Sequence, residues 1–250
     1  MRLFILGASG GVGRSLLQQA IARGHEVTAQ TRDARKLPAI SAMRVVVGAP
    51  TDHAFLQQAM AGTDAVILCI GVDTMGRTTL FSDTTEAVVA AMQATGVGRL
   101  VAVTGIGAGD TKGHGGWFYN YVIYPLFTRH RYADKDRQEA MIACTDLDWT
   151  IVRPAPFAAQ ASGAPLQVHT DIPAGLQLSA ITRAEVATFI LDCLEGNAYV
   201  RQKPFIGHLA ARQPAVSSPS GPVLPATAPP VLPHHAARSV GHHTETSTGG

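Results

Sequence analysis

Three glycines near the start of the chain have the spacing of a phosphate-binding turn. Gly7, Gly10 and Gly13 follow an apolar run over residues 3–6 and precede a helical pattern, and Ser9 adds a hydroxyl donor. A strand that turns into a helix through glycines leaves the free N–H groups of the helix pointing at one spot, which suits a phosphate. The spacing therefore predicts dinucleotide binding, with an ordinary glycine-rich turn as the alternative.

Basic residues follow the second predicted strand, where dinucleotide folds recognise the adenosine ribose. Arg32 comes directly after that strand, about 20 residues beyond the glycines. An acid at this point selects the free 2′-hydroxyl of NAD, whereas arginine selects the 2′-phosphate of NADP. Lys36 lies one helical turn further on, so two cations favour NADP. The alternatives are a solvated basic turn, or Asp33 facing the ribose, which would favour NAD.

Two polar residues further along have the chemistry to act beside a nicotinamide. Thr104 ends a predicted strand over residues 99–104, where its hydroxyl can hydrogen-bond a substrate carbonyl or simply end the strand. Lys135 opens a later helix, where its ammonium can hold the nicotinamide ribose and lower the pKa of a nearby hydroxyl. The alternative for Lys135 is a surface ion pair with Glu139, four residues on.

The elements that must position these residues alternate between strands and helices. Strands that are apolar throughout belong to parallel sheets covered on both faces, and ligands bind at the carboxyl ends of such strands. We predict an α/β fold, a Rossmann-type doubly wound parallel sheet, in a single domain over residues 1–208. Residues 157–208 form a small C-terminal substrate region, with a helix over residues 183–194 and an edge strand over residues 203–206. The predicted strands of the main sheet cover residues 3–6, 26–31, 43–47, 65–70, 99–104 and 149–152.

Composition argues against several classes of protein. The 250 residues carry a net charge of +2 without a basic block, so nucleic acid is not an expected partner. No apolar run approaches the roughly 18 residues that span a membrane. Cys69, Cys144 and Cys193 are widely spaced in apolar surroundings and are expected to be buried free thiols. The early start of the first strand leaves no room for a signal peptide, so we expect a cytoplasmic monomer or homodimer.

Two stretches carry less specific signals. Six aromatic residues lie between Trp117 and Phe127, which indicates a packed helix, a partner interface or a lid over a flat substrate. From residue 209 onward prolines alternate with small and polar residues and paired histidines, a composition that cannot bury enough apolar surface to fold. We predict that residues 209–250 are disordered and that the histidines hold no metal.

The motifs taken together resemble a known family. The segments GASGGVG, TRDARKL, LVAVTG, YADKDRQEA and LDWTIVRPA are similar to those of the atypical short-chain dehydrogenase/reductases. They are most similar to the NmrA-like branch that includes the type-B biliverdin and flavin reductases, and the resemblance covers residues 1–208. It implies that the pyrophosphate is held by Gly7, Ser9, Gly10, Gly11, Val12 and Gly13.

The same resemblance assigns roles along the edge of the sheet. Arg32 and Lys36 would hold the 2′-phosphate, and Gly71 would line the adenosine. The residues that would border the nicotinamide are Thr104, Lys135 and Pro154. Typical short-chain dehydrogenases also have a catalytic tyrosine four residues before the lysine, whereas Tyr132 stands three residues before Lys135 and would face another way.

These features predict an NADPH-dependent oxidoreductase that transfers hydride to an aromatic acceptor such as a flavin, quinone or tetrapyrrole. The alternative is a non-catalytic NADP-binding protein that senses redox state and regulates a partner, which the missing Tyr-x-x-x-Lys spacing favours. A third hypothesis is a relative of the sugar-nucleotide or isoflavone-type reductases, for which residues 157–208 look short.

Overall fold

The apolar runs of the chain form the parallel strands that the sequence predicts. The computed structural model describes residues 1–72, 76–105, 129–173 and 176–209, without the side chains of residues 129–132. The sheet order begins β3-β2-β1-β4-β5-β6, and these strands are all parallel. They are β1 (Arg2–Leu6), β2 (Glu26–Thr31), β3 (Met43–Val47), β4 (Ala65–Leu68), β5 (Arg99–Val103) and β6 (Asp148–Pro154).

The strand order places a topological switch point beside β1. The chain moves outward through β2 and β3 on one side of β1 and then returns to β4 on the other side. In open parallel sheets, ligands bind at the carboxyl ends of the strands where the order reverses. The fold therefore directs a ligand to the loops that follow β1 and β4.

The sheet is covered on both faces, which confirms the doubly wound prediction. Alternate residues of β1 point to opposite faces, so Leu3 and Ile5 enter one buried cluster while Phe4 and Leu6 enter the other. The first cluster includes residues of α1 (Gly11–Ala22) and α5 (Arg183–Glu195), and the second includes residues of α2 (His53–Met60), α3 (Leu80–Thr95) and α4 (Arg129–Ala143).

The C-terminal region extends this sheet. The strand β11 (Phe205–Leu209) pairs parallel with β6 and antiparallel with β8 (Gln167–His169) and β9 (Leu178–Ser179). The prediction of an edge strand here is therefore wrong, because both sides of β11 are paired and Phe205 and Ile206 are fully buried. A separate two-stranded sheet joins β7 (Phe157–Ala158) to β10 (Ile181–Thr182).

The cysteines differ from one another in environment. Cys69 and Cys193 are buried, and burial raises the pKa of each thiol to about 12. Neither thiol is therefore a nucleophile at neutral pH. The expectation of a buried thiol is wrong for Cys144, which is exposed because it follows the last residue of α4 at the surface.

Some predictions concern stretches outside the described residues. The aromatic segment over residues 117–127 and the tail beyond residue 209 belong to these stretches, so their predicted roles stay predictions. In the part of the chain that the structure describes, no helix is both long and apolar enough to cross a membrane. The same part holds no group of three side chains suited to bind a metal ion.

Candidate functional site

The turn between β1 and α1 has the geometry that its glycines predict. Gly7 has φ of +91°, in the left-handed region, and a Cβ there would lie 2.9 Å from the carbonyl carbon of Cys69. A Cβ on Gly13 would lie 2.7 Å from the Cα of Ala8, so this glycine lets α1 pack directly beneath the turn. The turn closes with the N–H of Gly10 donating to the carbonyl of Gly7 at 2.9 Å.

The N-terminus of α1 is left open to an anion. Gly10 precedes the helix without a side-chain cap, and the first turn holds no acidic residue. The first N–H groups of a helix have no partner within it and carry partial positive charge. The side chain of Val12 is buried, so only its backbone can face a ligand. The Ser9 hydroxyl accepts a hydrogen bond from Thr31 at 3.2 Å.

Two side chains that the sequence analysis missed hold this turn in place. Gln30, buried at the end of β2, accepts from the N–H of Gly7 at 3.1 Å and donates to the carbonyl of Gly48 at 2.8 Å. Arg14 donates to the carbonyl of Ser9 at 3.1 Å and to that of Lys36 at 3.0 Å. A polar amide in a buried strand was the only sequence signal for Gln30.

The turn opens into a cleft of about 290 Å³ that gathers many of the predicted cofactor residues. The loops after β1, β2, β3 and β4 all contribute to its lining, as expected for the carboxyl edge of a parallel sheet. The predicted residues that line it are Gly7, Ser9, Gly10, Gly11, Arg32, Lys36 and Gly71.

The basic turn presents cations to this cleft. Arg32 and Lys36 are exposed and line it, and in the part of the chain that the structure describes neither forms a salt bridge, although the charge of Lys36 helps to lower the pKa of Asp33. The turn over Ala34–Lys36 is a short 3-10 helix rather than an α-helix. Asp33 instead pairs with Arg35 at 3.0 Å, and the side-chain hydrogen bond from Arg35 lowers the pKa of the Asp33 carboxyl. The structure thus places Arg32, not Asp33, at the cleft.

Thr104 and Lys135 lie together, although neither is among the described residues that line the cleft. The ammonium of Lys135 donates to the carbonyl of Thr104 and lies 5.1 Å from the ring centroid of Phe81. Leu80, the neighbour of Phe81 at the start of α3, does line the cleft. Two of the three residues that the resemblance assigned to the nicotinamide end are thus close in space.

The hydroxyl of Thr104 belongs to a buried network that the sequence analysis missed. It donates to Glu139 at 2.7 Å, and Glu139 also accepts from Arg153 at 3.1 Å and 2.6 Å. The ammonium of Lys203 lies 3.7 Å from the same carboxylate. Glu139 is only 3% exposed, so the alternative of a surface ion pair between Lys135 and Glu139 is wrong. The one proton of the Thr104 hydroxyl is directed to Glu139.

A second buried carboxylate fixes the helix that carries Lys135. Asp134 is fully buried and accepts from the N–H of Phe81 at 2.9 Å and from the hydroxyl of Ser82 at 2.6 Å. It also pairs with Arg137 at 2.9 Å. The N-cap residue Thr79 makes no side-chain capping bond, so Asp134 of α4 caps α3 at the N–H of Phe81 and thereby joins the two helices.

The two remaining candidates are less closely defined by the structure. Pro154 is buried at the end of β6, opposite Ile206 of β11. Tyr132 lies in α4, but its side chain is outside the described residues, so its role as a general acid stays a prediction.

The chain is similar to several known proteins. A family model described as NAD(P)H-binding matches residues 7–197. The structure is similar to ChuY, an anaerobillin reductase from Escherichia coli, at 20% identity and a TM-score of 0.70, covering 86% of this chain and 100% of that chain. It is also similar to the oxidoreductase ylbE from Lactococcus lactis, at 20% identity and a TM-score of 0.69, covering 84% and 91% of the two chains.

A third neighbour was solved with a cofactor. It is a short-chain dehydrogenase/reductase from Veillonella parvula in complex with NADP, at 18% identity and a TM-score of 0.68, covering 83% of this chain and 94% of that chain. At such identities the likeness establishes a shared fold, and the predicted relation to the NmrA-like branch stays a prediction. Because the family model spans most of the chain and begins at the glycine turn, the chain belongs to the NAD(P)H-binding family.

Proposed function

We propose that this protein is an NADPH-dependent reductase that transfers hydride to an aromatic acceptor. The observation that carries the proposal is the cleft itself, where an uncapped helix N-terminus and two cations without acidic partners in the described residues face one space. Such a site matches a ligand with a diphosphate and a further phosphate. At Gly7 and Gly13 a Cβ would clash with the backbone of Cys69 and Ala8, so these glycines let α1 start close to β1 and bring its N-terminus to the cleft.

The choice of NADPH over NADH rests on the basic turn. Arg32 and Lys36 line the cleft directly after β2, the position from which dinucleotide folds recognise the ribose. Asp33, the residue that would favour NADH, is engaged by Arg35. The combination supports recognition of a 2′-phosphate by Arg32 and Lys36.

The residues beside the cleft would orient the reactants. Bound NADPH would supply the hydride. Lys135, held against Thr104 and Phe81, places a positive charge at this side of the site, while Glu139 fixes the Thr104 hydroxyl. Because that hydroxyl donates to Glu139, it offers a lone pair rather than a proton to a bound molecule. In this proposal the chain contributes mainly orientation and electrostatics.

An open cavity of about 980 Å³ next to the cleft supports a large acceptor. The two spaces share Leu80, and the larger one is also lined by Arg77 and Arg137. Its size suits a flat ring system. Arg137 is paired with Asp134 and Asp83 also lines the cavity, so Arg77 is the group that suits an acidic substituent of the acceptor. One of the structural neighbours is named as an anaerobillin reductase.

A second candidate function is a non-catalytic NADP sensor that regulates a partner. The observation that favours it is the commitment of the Thr104 proton to Glu139, which leaves the described part of the site without an identified proton donor. Under this alternative the chain binds NADP tightly and reduces no acceptor.

Absorbance at the nicotinamide band separates the two functions. The purified protein is mixed with NADPH and, in turn, flavins, quinones and linear tetrapyrroles, and oxidation is followed over time. The reductase proposal expects turnover with at least one acceptor, and an Arg77→Ala variant should raise KM for an acidic acceptor while leaving the affinity for NADPH unchanged. Tight NADPH binding with no turnover across the panel would support the sensor instead.

A further inference from the structure

Arg183 lies against the glycine turn although more than 160 residues separate the two along the chain. It is the first residue of α5, in the region that the sequence assigned to the substrate. A Cβ on Gly11 would lie 2.6 Å from the Cδ of Arg183. Gly11 is not one of the three motif glycines, so the structure gives a separate reason for a glycine here: it leaves room for the arginine.

An aromatic ring holds the guanidinium group of Arg183 in this position. The Cζ of Arg183 lies 4.7 Å from the ring centroid of Phe157, which is 42% exposed. Phe157 pairs in register with Ile181, two residues before Arg183, so the ring and the arginine belong to one local unit. Stacking of this kind restrains the guanidinium while its N–H groups stay available.

Arg183 has no anionic partner in the described residues, although an acid lies nearby in sequence. Glu185 is occupied by the Thr182 backbone and hydroxyl, at 2.9 Å and 2.7 Å, and by His208 at 3.1 Å. A cation in the first turn of a helix is electrostatically unfavourable, because the N-terminus already carries partial positive charge. Arg183 also lies beside the open N-terminus of α1, a second positive helix end. An anion bound between these groups would be stabilised by all of them.

We propose that Arg183 is a ligand of the cofactor's diphosphate and that Phe157 is the positioning residue that holds it there. The inference rests on the proposed function, since it takes a nicotinamide dinucleotide as the ligand of the cleft. It assigns to the C-terminal region a direct part in cofactor binding. Arg183 acts on the diphosphate, which NADPH and NADH share, whereas Arg32 acts on the 2′-phosphate, which only NADPH carries.

Dissociation constants for NADPH and NADH, measured by titration calorimetry, test the assignment. Arg183→Ala should weaken both dinucleotides by about tenfold, the value of one lost charge-assisted contact. Arg183→Lys should recover part of the loss, because it restores the charge but not the planar fork. Arg44→Ala, which removes an exposed arginine of β3 far from the cleft, is the matched control and should change neither constant.

Two further variants separate a contact from a folding defect. Phe157→Leu keeps an apolar side chain but removes the ring, so it should weaken both dinucleotides by a smaller factor than Arg183→Ala. Gly11→Ala displaces the arginine, so its loss should not add to that of Arg183→Ala when the two are combined. Thermal unfolding of each variant shows whether the fold is intact.

The outcomes distinguish this inference from the proposed function. If the wild type binds both dinucleotides and Arg183→Ala stays within twofold of it, the assignment of Arg183 is wrong while the proposed function stands. A loss confined to NADPH would place Arg183 at the 2′-phosphate and would also overturn the assignment. If the wild type binds neither dinucleotide, both proposals fail.

Discussion

The two ends of the candidate site differ in whether their charged side chains form ion pairs. At the glycine and basic turns, Arg32, Lys36 and Arg183 have no acidic partner among the described residues. At the ends of β5 and β6, the carboxylate of Glu139 is buried and accepts from Arg153 at 2.6 Å. The cations of the first end form no ion pair, whereas the charges of the second end are buried and paired with each other.

This difference distinguishes charged residues suited to bind a ligand from charged residues that stabilise the fold. A buried charge without a partner is strongly unfavourable, so the paired charges of Glu139 and Arg153 hold β6 and α4 in a fixed relation. Exposed cations carry little penalty when alone and attract anions, which is why we propose that the arginines and the lysine of the first end bind the ligand. Removing a charge should therefore change stability at the paired end and affinity at the unpaired end.

The largest effect is expected from breaking the paired end. Glu139→Ala leaves Arg153 buried without its carboxylate and should lower the free energy of unfolding by about 3 to 5 kcal/mol. Glu139→Gln keeps an acceptor for Thr104 and should lose less. Urea unfolding measures both, with Glu86→Ala, an exposed residue of α3, as the control that should change stability by less than about 0.5 kcal/mol. A Glu139→Ala protein as stable as the wild type would show that the network is not structural.

A smaller loss of stability, accompanied by loss of binding, is expected at the glycine turn. Gly7→Ala forces a side chain into the left-handed region and against the backbone of Cys69, which should destabilise the fold by about 2 to 3 kcal/mol. The matched control is Gly24→Ala, where φ is +80° but no atom lies within 4 Å of the added Cβ. It should lose only about 1 kcal/mol in urea unfolding. Equal losses in the two variants would mean that the close approach to β4 is not required.

Substitution of a cation at the unpaired end should change the affinity for the dinucleotide and leave the stability of the fold unchanged. Arg32→Ala should weaken NADPH by about tenfold or more and NADH by less than about twofold, with unfolding unchanged, because the lost contact is to the 2′-phosphate. Fluorescence titration with the two dinucleotides measures this, and Arg44→Ala again serves as the control. Parallel losses for NADPH and NADH would show that Arg32 does not contact the 2′-phosphate.

The smallest change in stability is expected from Glu195, a paired carboxylate outside the candidate site. Glu195 lies 2.8 Å from His25 and 2.9 Å from Arg23. Its partial desolvation raises the pKa of the carboxyl, but the hydrogen bond from His25 and the charge of Arg23 outweigh this and leave the pKa below its ordinary value of 4.5. A carboxyl with a depressed folded pKa stabilises the fold above its unfolded pKa, and this contribution is lost as pH falls through the folded pKa.

Glu195→Gln should therefore flatten the dependence of stability on pH below about pH 5, by less than about 1 kcal/mol because the group is partly exposed. Urea unfolding between about pH 7 and about pH 4 measures the slope, with Glu86→Gln as the control. The same slope in wild type and Glu195→Gln would show that Glu195 does not contribute to the loss of stability at low pH.

Most of the architecture followed from local patterns. The apolar runs predicted β1 through β6, and the glycine spacing predicted the turn between β1 and α1. The errors arose where local pattern and tertiary environment disagree. Cys144 has apolar neighbours but lies at the surface, and β11 has the length of an edge strand but is paired on both sides.

The residues that were missed share one property. Glu139, Asp134 and Gln30 act through partners far away in the sequence: Asp134 caps a helix 53 residues earlier, and Gln30 supports a turn 23 residues earlier. Nothing in the spacing of these residues marks such a contact. For Gln30 the only signal was a polar amide in a predicted strand, which does not identify its partner, whereas Asp134 and Glu139 lie in a polar stretch that gave no signal of burial.

The sequence by itself determined the alternation of strands and helices, the glycine turn and the cations beside it, because each depends on backbone conformation or spacing over a few residues. Only the tertiary structure decided which charges are neutralised by an ion pair and which are not, as it brings Arg183 to Gly11 and Arg153 to Glu139. The physical reason is range: backbone preference acts between neighbours in the chain, whereas the pairing of charges depends on which distant segments the fold brings together.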